Sequence, residues 1–180
     1  MPDLGAQIAA WRGRRLWLLG VGNTERGDDG FGVRLAEALQ DALPARSPVR
    51  VVDAGECPER YVGRSAGEGC QELVFADAVD FGGAPGELLL AGRDELLARP
   101  VGSSAHRVPL PVLAQYAEGL GVRAWLLGVQ PAALQPGRAL SAEVAGTLEA
   151  LVQILGRALG ACDPEVGADA PATFGDGVES

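Results

Sequence analysis

Two periods of hydrophobic and polar positions alternate along this chain. Residues 15–22, RLWLLGVG, are a short continuous apolar run, the pattern of a strand covered on both faces. Just beyond it Phe31, Leu35, Leu39 and Leu43 recur every fourth position, which puts them on one face of a helix ending near Pro44. VRVVDAG (49–55) predicts a second strand, Pro58 opens a helix, and a glycine-containing loop follows around Gly67 and Gly69. ELVFADAV (72–79) predicts a third strand and GELLLAG (86–92) a fourth, after the turn GGAPG. LPVLAQYAEGLG (110–121) reads as a helix and RAWLLGVQP (123–131) as a fifth strand. Ser141 then caps a last helix with Val144, Leu148, Leu151, Leu155 and Leu159 on one side. This alternation predicts an α/β three-layer sandwich: a mostly parallel, twisted, five-stranded sheet with helices on both faces.

Composition sets the limits of that domain. With 180 residues, 47% of them hydrophobic, there is material for one well-filled core, expected over residues 1–160. Residues 161–180, ACDPEVGADAPATFGDGVES, have no apolar stripe to offset ordering entropy and are expected to form a disordered acidic tail. No segment approaches the ~20 apolar residues of a membrane span, and the apolar run after Arg14 and Arg15 is too short for an export signal. A net charge of −9 argues against nucleic acid or an anionic membrane as partner. The three cysteines, Cys57, Cys70 and Cys162, show no C-x-x-C spacing, so a reducing cytoplasm fits, and a monomer is expected.

Candidate chemistry gathers where such a sheet binds ligands, beyond the carboxyl ends of its strands. The first strand runs into GVGNTERGDDGFG. Gly20, Gly22 and Gly27 are spaced too widely for a dinucleotide fingerprint, and no G-K-[ST] follows. Asp28 and Asp29, with Glu25 near, would repel a phosphate and attract a cation. The third strand ends at Asp77 with Asp80 beyond it, and the loop SSAHR supplies His106, the single histidine. Brought together, Asp29, Asp77 and His106 make two carboxylates and one imidazole around a divalent ion such as zinc or nickel. Each has a plainer role: Asp29 as a helix first-turn acid, Asp77 as a turn acceptor, His106 as a solvated or structural ring. Asp53, closing the second strand, reads as a turn former. Ser103 and Ser104 lie too near His106 in sequence to make it their base and read as loop-shaping residues.

The ordered motifs GVGNTERGDDGFG, VVDAG, FADAVDFGGAPGE, SSAHRVPL and LLGVQP resemble those of the hydrogenase maturation proteases, from about residue 15 to 156. The resemblance implies an endopeptidase that removes the carboxyl-terminal extension of a nickel-iron hydrogenase large-subunit precursor after nickel insertion. It implies Asp29, Asp77 and His106 as the catalytic and metal-binding positions. The nickel is then supplied by the precursor and serves as the recognition feature, with zinc, cadmium or another divalent ion as a substitute in crystals. The D-D-G form of the first motif resembles the branch serving formate-hydrogenlyase-type enzymes. Either a carboxylate base or an ion-activated water is compatible with hydrolysis. A non-catalytic nickel-binding maturation chaperone needs the same ligands, and a nucleotide-binding domain is the remaining alternative.

Overall fold

A computed structural model describes residues 3–98, 108–137 and 139–160. The predicted tail, 161–180, and the SSAHR loop with His106, Ser103 and Ser104 lie outside the described residues. In chain order the elements are α1 (Leu4–Trp11), β1 (Leu16–Val21), α2 (Phe31–Ala42), β2 (Val49–Gly55), α3 (Glu59–Gly67) and β3 (Glu72–Ala78). They continue with β4 (Leu88–Gly92), α4 (Arg93–Ala98), α5 (Leu110–Gly119), β5 (Arg123–Val129) and α6 (Ala142–Gly160). The strands form one sheet in the order β2-β1-β3-β5-β4, parallel except for β4, which runs antiparallel to β5. The expected mostly parallel five-stranded sheet is therefore present.

Both faces of the sheet are covered, as the unbroken apolar runs require. Every residue of β1 and β3 is buried. One face packs Leu73, Phe75 and Leu126 with Val62 of α3, Leu96 of α4 and Leu113 of α5. The other packs Leu16, Leu18 and Val74 with Phe31, Leu35 and Leu39 of α2 and with Val144, Leu151, Leu155 and Leu159 of α6. The three- and four-residue apolar repeats in α2 and α6 thus mark faces that the structure buries. Leu43 and Leu148 are only partly covered, at the margins of that layer.

Two helices were not foreseen. Helix α1 precedes the first apolar run and turns Leu4, Ile8 and Trp11, at helical spacing, onto the core; Trp11 is 1% exposed and meets Trp125 edge-on at 6.1 Å between ring centroids. Asp3 caps it by accepting from the Ala6 amide at 2.7 Å. The short α4 begins directly where β4 ends, with no intervening turn residues to announce it.

Below the amino ends of the strands sits a buried acid, Glu72, 1% exposed. Its carboxylate accepts from Trp125 Nε1 at 2.9 Å and from the Arg123 guanidinium, with Arg14 Nε at 3.6 Å. These partners compensate the charge that burial would otherwise penalise. They also fasten the segment after α1 to the sheet, at the edge remote from the candidate chemistry.

What positions that chemistry is the depth to which α2 sinks into the sheet. A Cβ on Gly32 would lie 2.0 Å from the Ala76 carbonyl oxygen and 2.4 Å from that of Val21, and one on Gly20 would lie 2.2 Å from the Gly32 oxygen. The helix backbone therefore rests directly on the backbones of β1 and β3, with no room for a methyl group on either side. Replacing Gly32 with Ala should cost about 3 kcal/mol or more, because backbone must move to admit the methyl. Gly146, in the interior of α6, has open space around its Cβ position, so Gly146→Ala should instead stabilise by about 0.5–1 kcal/mol. Urea midpoints at unchanged slope would measure both.

Candidate active site

The loop after β1 reverses sharply. Pairing of β1 with β2 slips between Gly20 and Val21, so that Val21 faces Gly55, a local bulge at the carboxyl edge. Gly22 takes φ 127°, and a Cβ there would lie 1.8 Å from the Asp29 carbonyl oxygen. Only glycine permits this return, which brings the single turn of 3-10 helix Gly27–Gly30 back over the strand end. The first-loop glycines are thus devices of close packing, and acids occupy the place where a phosphate cradle would need open amides.

The adjacent aspartates in that turn do different work. Asp28, 1% exposed, accepts at Oδ2 from the Ala132 and Ala133 amides at 2.8 and 3.0 Å and from the Ser141 hydroxyl at 3.0 Å. Its Oδ1 accepts from the Ser141 amide at 2.7 Å. Ser141 Oγ in turn accepts from Val144 N at 3.4 Å, as expected of the α6 cap. The charge of Asp28 is therefore consumed by four donors, and it staples the segment after β5 and the start of α6 to the first loop. The expectation that Asp28 shares in attracting a cation is corrected on this ground. Asp29, 7% exposed, accepts at Oδ2 from the Asn23 amide at 2.9 Å. Asn23 Oδ1 accepts from Glu25 N at 2.9 Å, which fixes the turn that supplies that amide.

Asp77 lies on β3, opposite Gly128 of β5 and one residue beyond the pairing of Ala76 with Gly20. It is 0% exposed. Asp29, in the turn that follows β1, and Asp77, on the neighbouring parallel strand β3, thus sit where the strand order reverses direction after β2-β1, the usual ligand crevice of such sheets. Asp80 is instead an exposed turn former, accepting from Gly82 N at 3.1 Å and from Gln130 Nε2 at 3.1 Å. Asp53 likewise accepts from Gly55 N at 3.0 Å, as a turn former should.

Gln130 is the positioning residue that sequence reasoning passed over within LLGVQP. Its Oε1 accepts from Phe81 N at 2.9 Å and Gly83 N at 3.1 Å, and its backbone exchanges bonds with Gly86 and Glu87. The loop following Asp77 is held against the end of β5 in this way. A buried glutamine beyond an apolar strand is the signal that could have marked it.

His106 lies outside the described residues. Helix α5, which follows it, packs back along β5, and only residues 120–122 separate the two. The amino end of α5 therefore points to the carboxyl edge of the sheet, where Asp29 and Asp77 sit. Among the described residues no three His, Cys, Asp or Glu side chains cluster as a metal site. Cys70 offers no alternative nucleophile: burial pushes its thiol up, and its Sγ–H donates to the Glu72 carbonyl at 3.0 Å.

Comparison with known proteins agrees with this architecture. A hydrogenase maturation protease family model matches residues 33–158. A putative hydrogenase maturation protease of Methanocaldococcus jannaschii is 30% identical over 145 residues, covering 77% of this chain and 92% of that protein. The hydrogenase 3 maturation protease of Escherichia coli K12 is 36% identical over 115 residues, covering 63% and 71%. The crystal structure of the nickel-iron hydrogenase maturation protease HycI from Thermococcus kodakarensis superposes with a TM-score of 0.75 at 32% identity, covering 86% of this chain and 98% of that one.

The division of labour between the adjacent acids yields a direct test. Asp28→Asn presents an amide N–H2 to a pocket made of donors and should lose about 2–4 kcal/mol of stability. Asp29→Asn keeps an oxygen for the Asn23 amide and should lose less than about 1 kcal/mol. Thermal or urea unfolding of the two variants in parallel would show the contrast.

Proposed function

Because this chain belongs to the hydrogenase maturation proteases, and so is an endopeptidase of hydrogenase processing, we propose that it trims the carboxyl-terminal extension of a nickel-loaded large-subunit precursor. The observation that carries this reading is the placement of Asp29 and Asp77 at the carboxyl ends of adjacent strands, with Asp28 diverted to a structural task. Two buried carboxylates at neighbouring strand ends suit a positive ion delivered from outside. Nickel enters as part of the substrate, and Asp29, Asp77 and His106 are its proposed ligands. Two hard oxygens and one imidazole leave coordination positions to the precursor's own ligands, so occupancy reports that the precursor is ready. Held there, the ion would supply Lewis acidity near the scissile carbonyl.

In this reading Asp29, the acid of the pair with residual solvent access, takes a proton from the attacking water. The water oxygen bonds to the scissile carbonyl carbon, the C–N bond breaks, and the proton passes to the departing amine. Products are the shortened subunit with a new carboxylate and the released extension with a free amino group. Asp77, fully enclosed, orients and binds. The site works in the cytoplasm as a monomer, where the precursor acquires its metal. No described helix is long and apolar enough to cross a membrane.

Incubation with a nickel-loaded large-subunit precursor, read by mass spectrometry, tests the proposal. The unmodified protein should remove a carboxyl-terminal peptide, His106→Ala and Asp29→Asn should slow this by at least about a hundredfold, and Ser104→Ala should stay within about threefold. Circular dichroism would confirm that each variant is folded. Nickel-dependent binding with no mass loss would identify a chaperone instead, and loss of activity in Ser104→Ala alone would move the chemistry to a serine.

A further inference from the structure

Helix α5 breaks the rule that the outward face of a surface helix is polar. Its buried face is Leu110, Leu113, Ala114 and Ala117, and outside it Val112, Tyr116 and, at the helix's end, Leu120 follow at four-residue spacing, 52%, 52% and 44% exposed. On α4, which packs against α5, Leu97 is 50% exposed, one turn along from the Arg93 whose guanidinium lies 3.7 Å from Glu118. Helix α2 shows the ordinary case: its exposed positions are Glu37, Gln40, Asp41 and the small Ala42.

Two observations say what covers the stripe. The first is its address. It begins at Val112, six residues after His106, at the end of α5 that points to the Asp29 and Asp77 edge, and it runs away from that edge along the helix. Anything large held at the edge would meet it. The second is its size. Four half-exposed side chains present on the order of 300 Å² of apolar surface, well below the roughly 800 Å² that each partner contributes to a stable pair. The stripe cannot hold a second copy of this chain alone, but it can extend a contact already anchored at the edge.

We propose that the Val112, Tyr116 and Leu120 stripe, with Leu97, is the docking face for the folded body of the hydrogenase precursor, against an apolar patch next to its carboxyl-terminal extension. This rests on the endopeptidase reading above. It explains how a protein-sized substrate is selected by more than one peptide bond and one ion.

The test uses Val112→Asp and Tyr116→Asp in the full chain. Each should raise KM for the nickel-loaded precursor at least tenfold with kcat within twofold, and leave the melting temperature unchanged. Binding of the same precursor to Asp29→Asn, with and without Tyr116→Asp, reads docking independently of cleavage and should weaken at least tenfold. Unchanged KM and unchanged binding would overturn the proposal. So would a fall in melting temperature with unchanged KM, which would show the stripe covered by the chain itself. Self-association of the unmodified protein in sedimentation, lost in Tyr116→Asp while KM stays constant, would assign the stripe to a second copy. Absence of cleavage by the unmodified protein refutes the endopeptidase reading alone, since the binding comparison still decides docking.

Discussion

Direct backbone contact between the first turn of α2 and strands β1 and β3 is the constraint from which the site follows. Gly20 and Gly32 let the helix sit closer to the sheet than any side chain would allow. The 3-10 turn that precedes the helix is then drawn over the end of β1, next to the end of β3. Asp29 is carried to the crevice by this close packing, and Asp77 is already there as part of the strand. A methyl group in the contact would lift the helix and with it the acid. The glycines that suggest a nucleotide loop in a one-dimensional reading are spent on proximity.

Adjacent acids with different fates follow from the alternating directions of a tight helical turn. Asp28 points toward the segment after β5 and gathers four donors from residues more than a hundred positions away. Asp29 faces the strand ends, with one loop amide on one of its oxygens. The first makes α6 and the 131–141 segment part of the site's frame. The second keeps capacity for a ligand. Gln130 completes the frame by holding the loop beyond Asp77 to the end of β5, so both acids are fixed from the same short stretch of chain.

The sheet and its two helical layers were legible in the sequence because continuous apolar strands and three- and four-residue apolar repeats leave few alternatives. Phe31, Leu35 and Leu39 are buried as their spacing requires, and the acids at the strand ends stand where a parallel sheet places ligands. Helix α1 was passed over although Leu4, Ile8 and Trp11 follow at helical spacing and pack on the core, because three apolar positions in eight residues stand out less than the continuous run of β1. The separate duties of Asp28 and Asp29 were not legible, since they depend on donors from residues 132–141 that only the folded chain brings near. The stripe on α5 was read simply as helical, because periodicity cannot tell a buried apolar face from an exposed one. His106 stood out as the single histidine, and the resemblance of motifs then implied it as a ligand; it lies outside the described residues.

The claim at the centre of this account is that the protein adds its own oxygen and nitrogen donors to an ion the precursor already holds. X-ray absorption at the nickel edge, on a stoichiometric mixture of protein and nickel-loaded precursor frozen before turnover, reads that event itself. The account predicts new oxygen and nitrogen scatterers at about 2 Å from nickel, absent when His106→Ala replaces the unmodified protein. A nickel spectrum identical with and without a protein that goes on to cleave the precursor would contradict it.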